Sequence, residues 1–217
     1  MRSMNKTLII IGAGPGIGTA VAERFGKNGY QIGLVSRNVI NIGITVEHLQ
    51  ASGITAYAAS ADVSKPDQLK AAISELNNKL GNIDVVLYNA AVLKSKNITQ
   101  ETGSDLIEDF KVNVGGALDT FLIARKELSA NRGALLITGG GLSDHPSSQY
   151  GSLSMGKAAL KSLALQLHME ASADGIYVGL LTITNALSPN DPKYSPSKMA
   201  DQFWEMVQLR TEAERAV

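Results

Sequence analysis

The chain contains no cysteine, which excludes disulfides, thiolate nucleophiles and thiolate-bound metal, and fits a reducing compartment such as the cytosol. Neither sign of charge is in excess: 20 lysines and arginines stand against 20 aspartates and glutamates in 217 residues. Without a basic run there is no stripe for a polyanion, so nucleic acid is not an expected partner. Long apolar runs are missing too, and nothing approaches the ~20 residues of a membrane span. The amino terminus imitates a secretion signal, with Arg2 and Lys6 before Leu8–Ile11 and the small residues Thr19–Ala22. That apolar run ends at Gly12, and Gly14, Pro15 and Gly16 would break a signal helix. A cytoplasmic protein, with no membrane contact and no metal site, is the expectation.

What is present is an alternation of short, β-branched apolar runs with longer amphipathic segments, the pattern of a parallel sheet covered by helices. Run length and branching predict strands at Thr7–Ile11, Gln31–Ser36, Thr55–Ala59, Asp84–Tyr88, Ala134–Thr138 and Tyr177–Ile183. Helices are predicted over Gly16–Asn28, Thr45–Ser52, Pro66–Leu80, Ser104–Ala130, Ser152–Ala173 and Ser197–Arg210. Pro66 sits where a first helical turn tolerates proline. Length argues for one α/β domain over residues 1–217 with a doubly wound parallel sheet. Asn185–Pro196, with Pro189, Pro192 and Pro196, reads as a loop after the sixth strand, on the side where such sheets bind ligands, and is placed to serve as a substrate lid.

The segment from Thr7 to Gly18 runs strand, tight turn, helix, the context that makes a glycine motif meaningful. Its spacing is G-x-x-x-G-x-G, at Gly12, Gly16 and Gly18, with Gly14 between. Glycines allow close backbone approach, and a helix start at Gly16, Ile17 and Gly18 offers N–H groups and positive dipole to a pyrophosphate. A Rossmann site for NAD places a carboxylate after the second strand to hold the ribose 2′-hydroxyl. Between Arg24 and Val46 there is no aspartate or glutamate, and the second strand ends Ser36-Arg37. A hydroxyl and a guanidinium suit a 2′-phosphate, so NADP(H) is preferred over NAD(H).

The glycine spacing resembles that of the short-chain dehydrogenase/reductase family, and further landmarks follow in order. Asp62-Val63 resembles its adenine-side pair, and Asn89-Ala90-Ala91 its Asn-Ala-Gly motif. Asn113 resembles its helix asparagine and Lys157 its catalytic lysine, which also holds the nicotinamide ribose. The resemblance spans about Thr7 to Ile183. It implies an oxidoreductase acting on an unidentified small molecule, and homodimers or homotetramers built through the helices at Ser104–Ala130 and Ser152–Ala173.

The departures bear on chemistry. The family's tyrosine lies four residues before the lysine, where this chain has Leu153, and its serine thirteen residues before that, at Gly140. The tyrosine gives or takes the proton as hydride moves, and leucine cannot. General acid–base help is typically worth about 10²–10⁴ in rate, roughly 3–5 kcal/mol. Three residues are candidates for the missing groups: Tyr150, seven residues before Lys157 and ~10 Å along a helix axis; His145, beside Asp144; and Ser143. Asn89 has a second expected role, tying strand ends together, as Asp62 has in capping the next segment and Asn113 at a helix kink. Two functions follow: an NADP(H)-dependent oxidoreductase of small carbonyls or alcohols with a weakened proton-transfer site, or a catalytically silent NADP(H)-binding sensor.

Overall fold

Every apolar run read as a strand becomes a strand of one parallel sheet. The computed structural model describes residues 6–217; Arg2 of the signal-like segment lies outside the described residues. In chain order the elements are β1 (Thr7–Ile11), α1 (Ile17–Gly26), β2 (Gln31–Ser36), α2 (Val39–Ala51), β3 (Ala56–Ser60), α3 (Pro66–Leu80), β4 (Val85–Tyr88), α4 (Gly103–Phe110), a π-helical turn (Lys111–Gly115), α5 (Gly116–Ala130), β5 (Ala134–Thr138), α6 (Gly151–Ala171), β6 (Tyr177–Thr182), α7 (Pro196–Leu209) and β7 (Glu214–Ala216).

The strands lie in the order β3-β2-β1-β4-β5-β6-β7, with register pairs such as Ile9↔Gly33, Ile9↔Val86 and Leu135↔Val178. This is the doubly wound arrangement the alternation predicts. Successive side chains of a strand point to opposite faces, so Ile9 and Ile11 join one core with Leu76, Phe121 and Leu160 of α3, α5 and α6. Leu8 and Ile10 join the other with Phe25, Leu49 and Phe203 of α1, α2 and α7. The chain winds outward from β1 to β3 and then restarts at β4, so the carboxyl ends of β1 and β4 flank the crevice where such sheets take ligands.

Two helices depart from expectation. The second begins at Val39 rather than Thr45, because the Asn38 side chain caps it by accepting the Asn41 N–H at 3.1 Å; its β-branched, glycine-containing opening masks the helical pattern. The segment expected as one helix over Ser104–Ala130 is divided by the π-turn. There the buried Tyr88 hydroxyl donates to the Val112 carbonyl, and a Cβ on Gly116 would crowd the same hydroxyl. A seventh strand, β7, beyond the six predicted, pairs with β6. Asn185–Ser195 is irregular, and Pro196 opens α7 behind Ser195, which accepts the Lys198 N–H.

Candidate functional site

The end of β1 sets the first half of the site. Gly12 has φ +82°, and a Cβ there would collide with the backbone of Ala90; Gly16 has φ +96°. The N–H groups of Gly12 and Ala13 both donate to the Val35 carbonyl at 2.9 Å, bending the loop over the sheet. No side chain caps α1 and no acidic residue stands in its first turn, which leaves the helix end receptive to an anion. A cavity of about 260 Å³ opens here, lined by Gly12–Pro15, Ser36, Arg37, Ala61–Val63 and Asn89–Ala91 among others. Arg37 is exposed. Asp62 accepts the hydroxyl and the N–H of Ser64 at 2.7 and 2.9 Å, and the hydroxyl's hydrogen bond, first among the causes, holds its carboxyl below the usual range.

A second cavity of about 300 Å³ shares Pro15, Asn89, Ala91 and Leu93 with the first, so the two are lobes of one groove. Gly16, Ile17, Thr138, Gly139, Lys157, Ile183, Asn185 and Leu187 complete it. Asn89 stands between the lobes and ties three strand ends together: its Nδ2 donates to the Gly12 carbonyl at 3.1 Å and its Oδ1 accepts the Thr138 hydroxyl at 2.9 Å. Lys157 projects from α6, is buried, and donates from Nζ to the Thr138 carbonyl at 2.7 Å. Burial away from water lowers its pKa to about 8. Asn113 comes from the π-turn; its Oδ1 accepts the Val92 N–H at 2.8 Å, while its buried Nδ2 has no partner among the described residues.

The groove therefore brings together Gly12, Gly14, Gly16, Ile17, Ser36, Arg37, Asp62, Val63, Asn89, Ala90 and Lys157. Gly18 lies behind it, where even a methyl would press on Ala13 at 3.3 Å. Tyr150, His145 and Ser143 line neither lobe. Tyr150 precedes α6 and bridges to Lys96; His145 is exposed; Ser143 lines a separate, apolar cavity with Ile98, Leu142 and Met155. Leu153 is buried, and Gly140 lies beside the Lys157 stem, with an ideal Cβ 3.7 Å from Cε. Leu93, 79% exposed and lining both lobes, was not foreseen, since a lone leucine in a loop carries no pattern.

Residues 6–200 match the family described as short chain dehydrogenase. The chain belongs to that family. Among curated relatives, this short chain dehydrogenase is 28% identical over 142 residues to carbonyl reductase family member 4 of Xenopus laevis, covering 65% of this chain and 58% of that one. It is 29% identical over 206 residues to dehydrogenase/reductase SDR family member 4 of Oryctolagus cuniculus, covering 93% and 75%. Among solved structures, an alcohol dehydrogenase from the archaeon Thermococcus sibiricus, complexed with 5-hydroxy-NADP, superposes with a TM-score of 0.87 at 22% identity, covering 98% and 95%. The likeness to that structure concerns the fold.

Proposed function

We propose that this short chain dehydrogenase is an NADP(H)-dependent oxidoreductase interconverting a small carbonyl compound and its alcohol. The observation that carries the reading is the two-lobed groove, with Ser36 and Arg37 at one end, Lys157 at the other and the uncapped start of α1 between. The residues present fit a dinucleotide: Gly12 has no room for a side chain, whereas Gly14 and Gly16 face open space where a pyrophosphate needs it. Gly14–Ile17 would hold the phosphates, Arg37 and Ser36 a 2′-phosphate, and Asp62 and Val63 the adenine side. Lys157 would hold the nicotinamide ribose, with Asn113 behind it. When bound, the dinucleotide supplies or accepts hydride; the chain binds, orients and handles the proton.

Leu153 and Gly140 favour a second reading, a silent NADP(H)-binding sensor whose occupancy a partner detects. Fluorescence titration with NADPH and NADH, followed by a screen of aldehydes and ketones for NADPH oxidation, separates the two. The expected result is tighter binding of NADPH and measurable turnover. Binding without turnover leaves the sensor, and no affinity for either nucleotide overturns both. Exposed Ile107, Phe110, Leu118 and Leu122 of α4 and α5, with Met155 and Met169 of α6, support a homodimer or homotetramer; sedimentation as a monomer at micromolar concentration would refute it. The cysteine-free composition supports a cytosolic location. No described helix is long and apolar enough to cross a membrane.

A further inference from the structure

We infer that Lys157 is itself the proton donor and acceptor of this site, transferring the proton directly between Nζ and the substrate oxygen. The inference rests on the oxidoreductase reading and adds to it the identity of the acid. Its basis is what surrounds Nζ. Of the described residues lining the second lobe, Lys157 alone carries an ionisable side chain. The segment after β4 presents Asn89, Ala91 and Leu93, the loop after β6 presents Ile183, Asn185 and Leu187, and the glycine loop and the start of α1 present Pro15, Gly16 and Ile17. The end of β5 presents Thr138 and Gly139, with the Thr138 hydroxyl already committed to Asn89. Asn113 of the π-turn contributes only an amide. The next ionisable residue along α6, Lys161, is held by Asp144 and Glu214, each at 2.9 Å.

Two substitutions produce this isolation. Leu153 brings no hydroxyl to the site, and Gly140 sets no side chain against the Lys157 stem, where an ideal Cβ would stand 3.7 Å from Cε. Nζ spends one hydrogen bond on the Thr138 carbonyl, and an ammonium has three donors, so two remain to aim into the lobe. Desolvation without a countercharge is also the condition that brings a lysine into the useful range for acid–base work, and its pKa of about 8 agrees. Other hydroxyls are badly placed. Tyr194 hydrogen-bonds with Thr184 at 3.2 Å and lines neither lobe, and the Tyr88 hydroxyl is committed to Val112.

In reduction, the carbonyl carbon gains a hydride, with both its electrons, from a reduced nicotinamide. The carbonyl oxygen gains a proton from Nζ as that N–H bond breaks, and the resulting neutral amine is reprotonated from solvent. Oxidation of the alcohol runs the same transfers backwards and needs the neutral amine.

The test combines a readout on the protein alone with kinetics. In protein labelled with 13C at lysine Cε, the Lys157 resonance, assigned by its loss in Lys157→Arg, should titrate near pH 8. Reduction of whichever aldehyde the screen finds should have a kcat that is flat below that pH and falls tenfold per unit above it. Arg holds its proton too tightly to give it up. Lys157→Arg, whose guanidinium can still donate to the ribose, should therefore bind NADPH within a few-fold of wild type yet lose at least about 100-fold in kcat at saturating NADPH. Lys157→Met, which gives up the ribose contact as well, should bind NADPH more weakly and lose at least as much kcat at saturation, and serves if the arginine variant fails to fold. Tyr194→Phe should turn over normally. Any of four results overturns the inference: a Lys157 titration near pH 10.5, a pH-independent kcat across 7–9.5, turnover retained in Lys157→Arg or Lys157→Met, or turnover lost in Tyr194→Phe. Turnover with any of these removes Lys157 as the donor and leaves the oxidoreductase reading standing; NADPH binding without turnover removes both.

Discussion

The two lobes of the groove are made from different materials. The one against β2 and β3 is lined by polar and apolar surface in about equal measure, and its charges, Arg37 and Asp62, stay in contact with water. The one against β5 and β6 is mostly apolar and holds one cation, 9% exposed, with no carboxylate among the described residues that line it. Exposed charge costs little to maintain and selects a ligand by direct contact. A desolvated charge lowers stability, and so is kept where a proton has to move. On the function proposed above, ligand selection belongs to the first lobe and chemistry to the second.

The change that should break the groove most completely is Gly12→Val. The backbone there has φ +82° and a Cβ would strike Ala90, so we expect a loss of about 3 kcal/mol or more, or no folded protein. Thermal denaturation measures it, and a variant within 1 °C of wild type would contradict the packing described.

Lys157→Met tests the contrast in burial cost. Because the folded pKa of about 8 lies below the ordinary 10.5, the unfolded chain binds more protons between those values, and wild-type stability rises with pH across that window. The penalty is fully present below pH 8 and amounts to at most about 3 kcal/mol. Methionine removes it, though the Thr138 carbonyl loses its donor, so a net gain of about 1–2 kcal/mol is expected at pH 7. By pH 10.5 the gain should vanish in urea unfolding. A variant less stable than wild type at pH 7 would mean that the buried charge is compensated.

Tyr88→Phe leaves the Val112 carbonyl without its hydroxyl partner, at an expected cost of about 1–2 kcal/mol. It also frees the π-turn that presents Asn113, so hydrogen exchange should accelerate there and leave β1–β3 unaffected. Uniform acceleration would make Tyr88 a general core residue. Arg37→Asp confines its effect to the first lobe. NADPH affinity should fall about 10–100-fold, from the loss of a charge-assisted contact, while NADH binding holds or improves and melting temperature stays put. An unchanged preference would strip Arg37 of its phosphate role.

Much of the first lobe was legible because its parts are local. Gly12 to Gly18 lie on one strand–turn–helix, Ser36-Arg37 end the next strand and Asp62 follows the third, so chain order alone sets them along one sheet edge. The second lobe assembles from the glycine loop and the start of α1, the segment after β4, the end of β5, α6 and the loop after β6, and no spacing rule reports how those elements meet. Tyr150, His145 and Ser143 were reasonable by distance along the chain to Lys157, yet the loop before α6 carries them away from the groove.

The sequence by itself determined the alternation of strand and helix, the limits of β1, β2, α3 and β5, the glycine turn and the absence of a carboxylate after β2, since these depend on periodicity and near neighbours. Only the tertiary structure decided the π-turn, where a tyrosine from β4 claims a helix carbonyl, and the solitude of Lys157, because burial and missing countercharge are properties of what packs around a residue and not of what adjoins it in the chain.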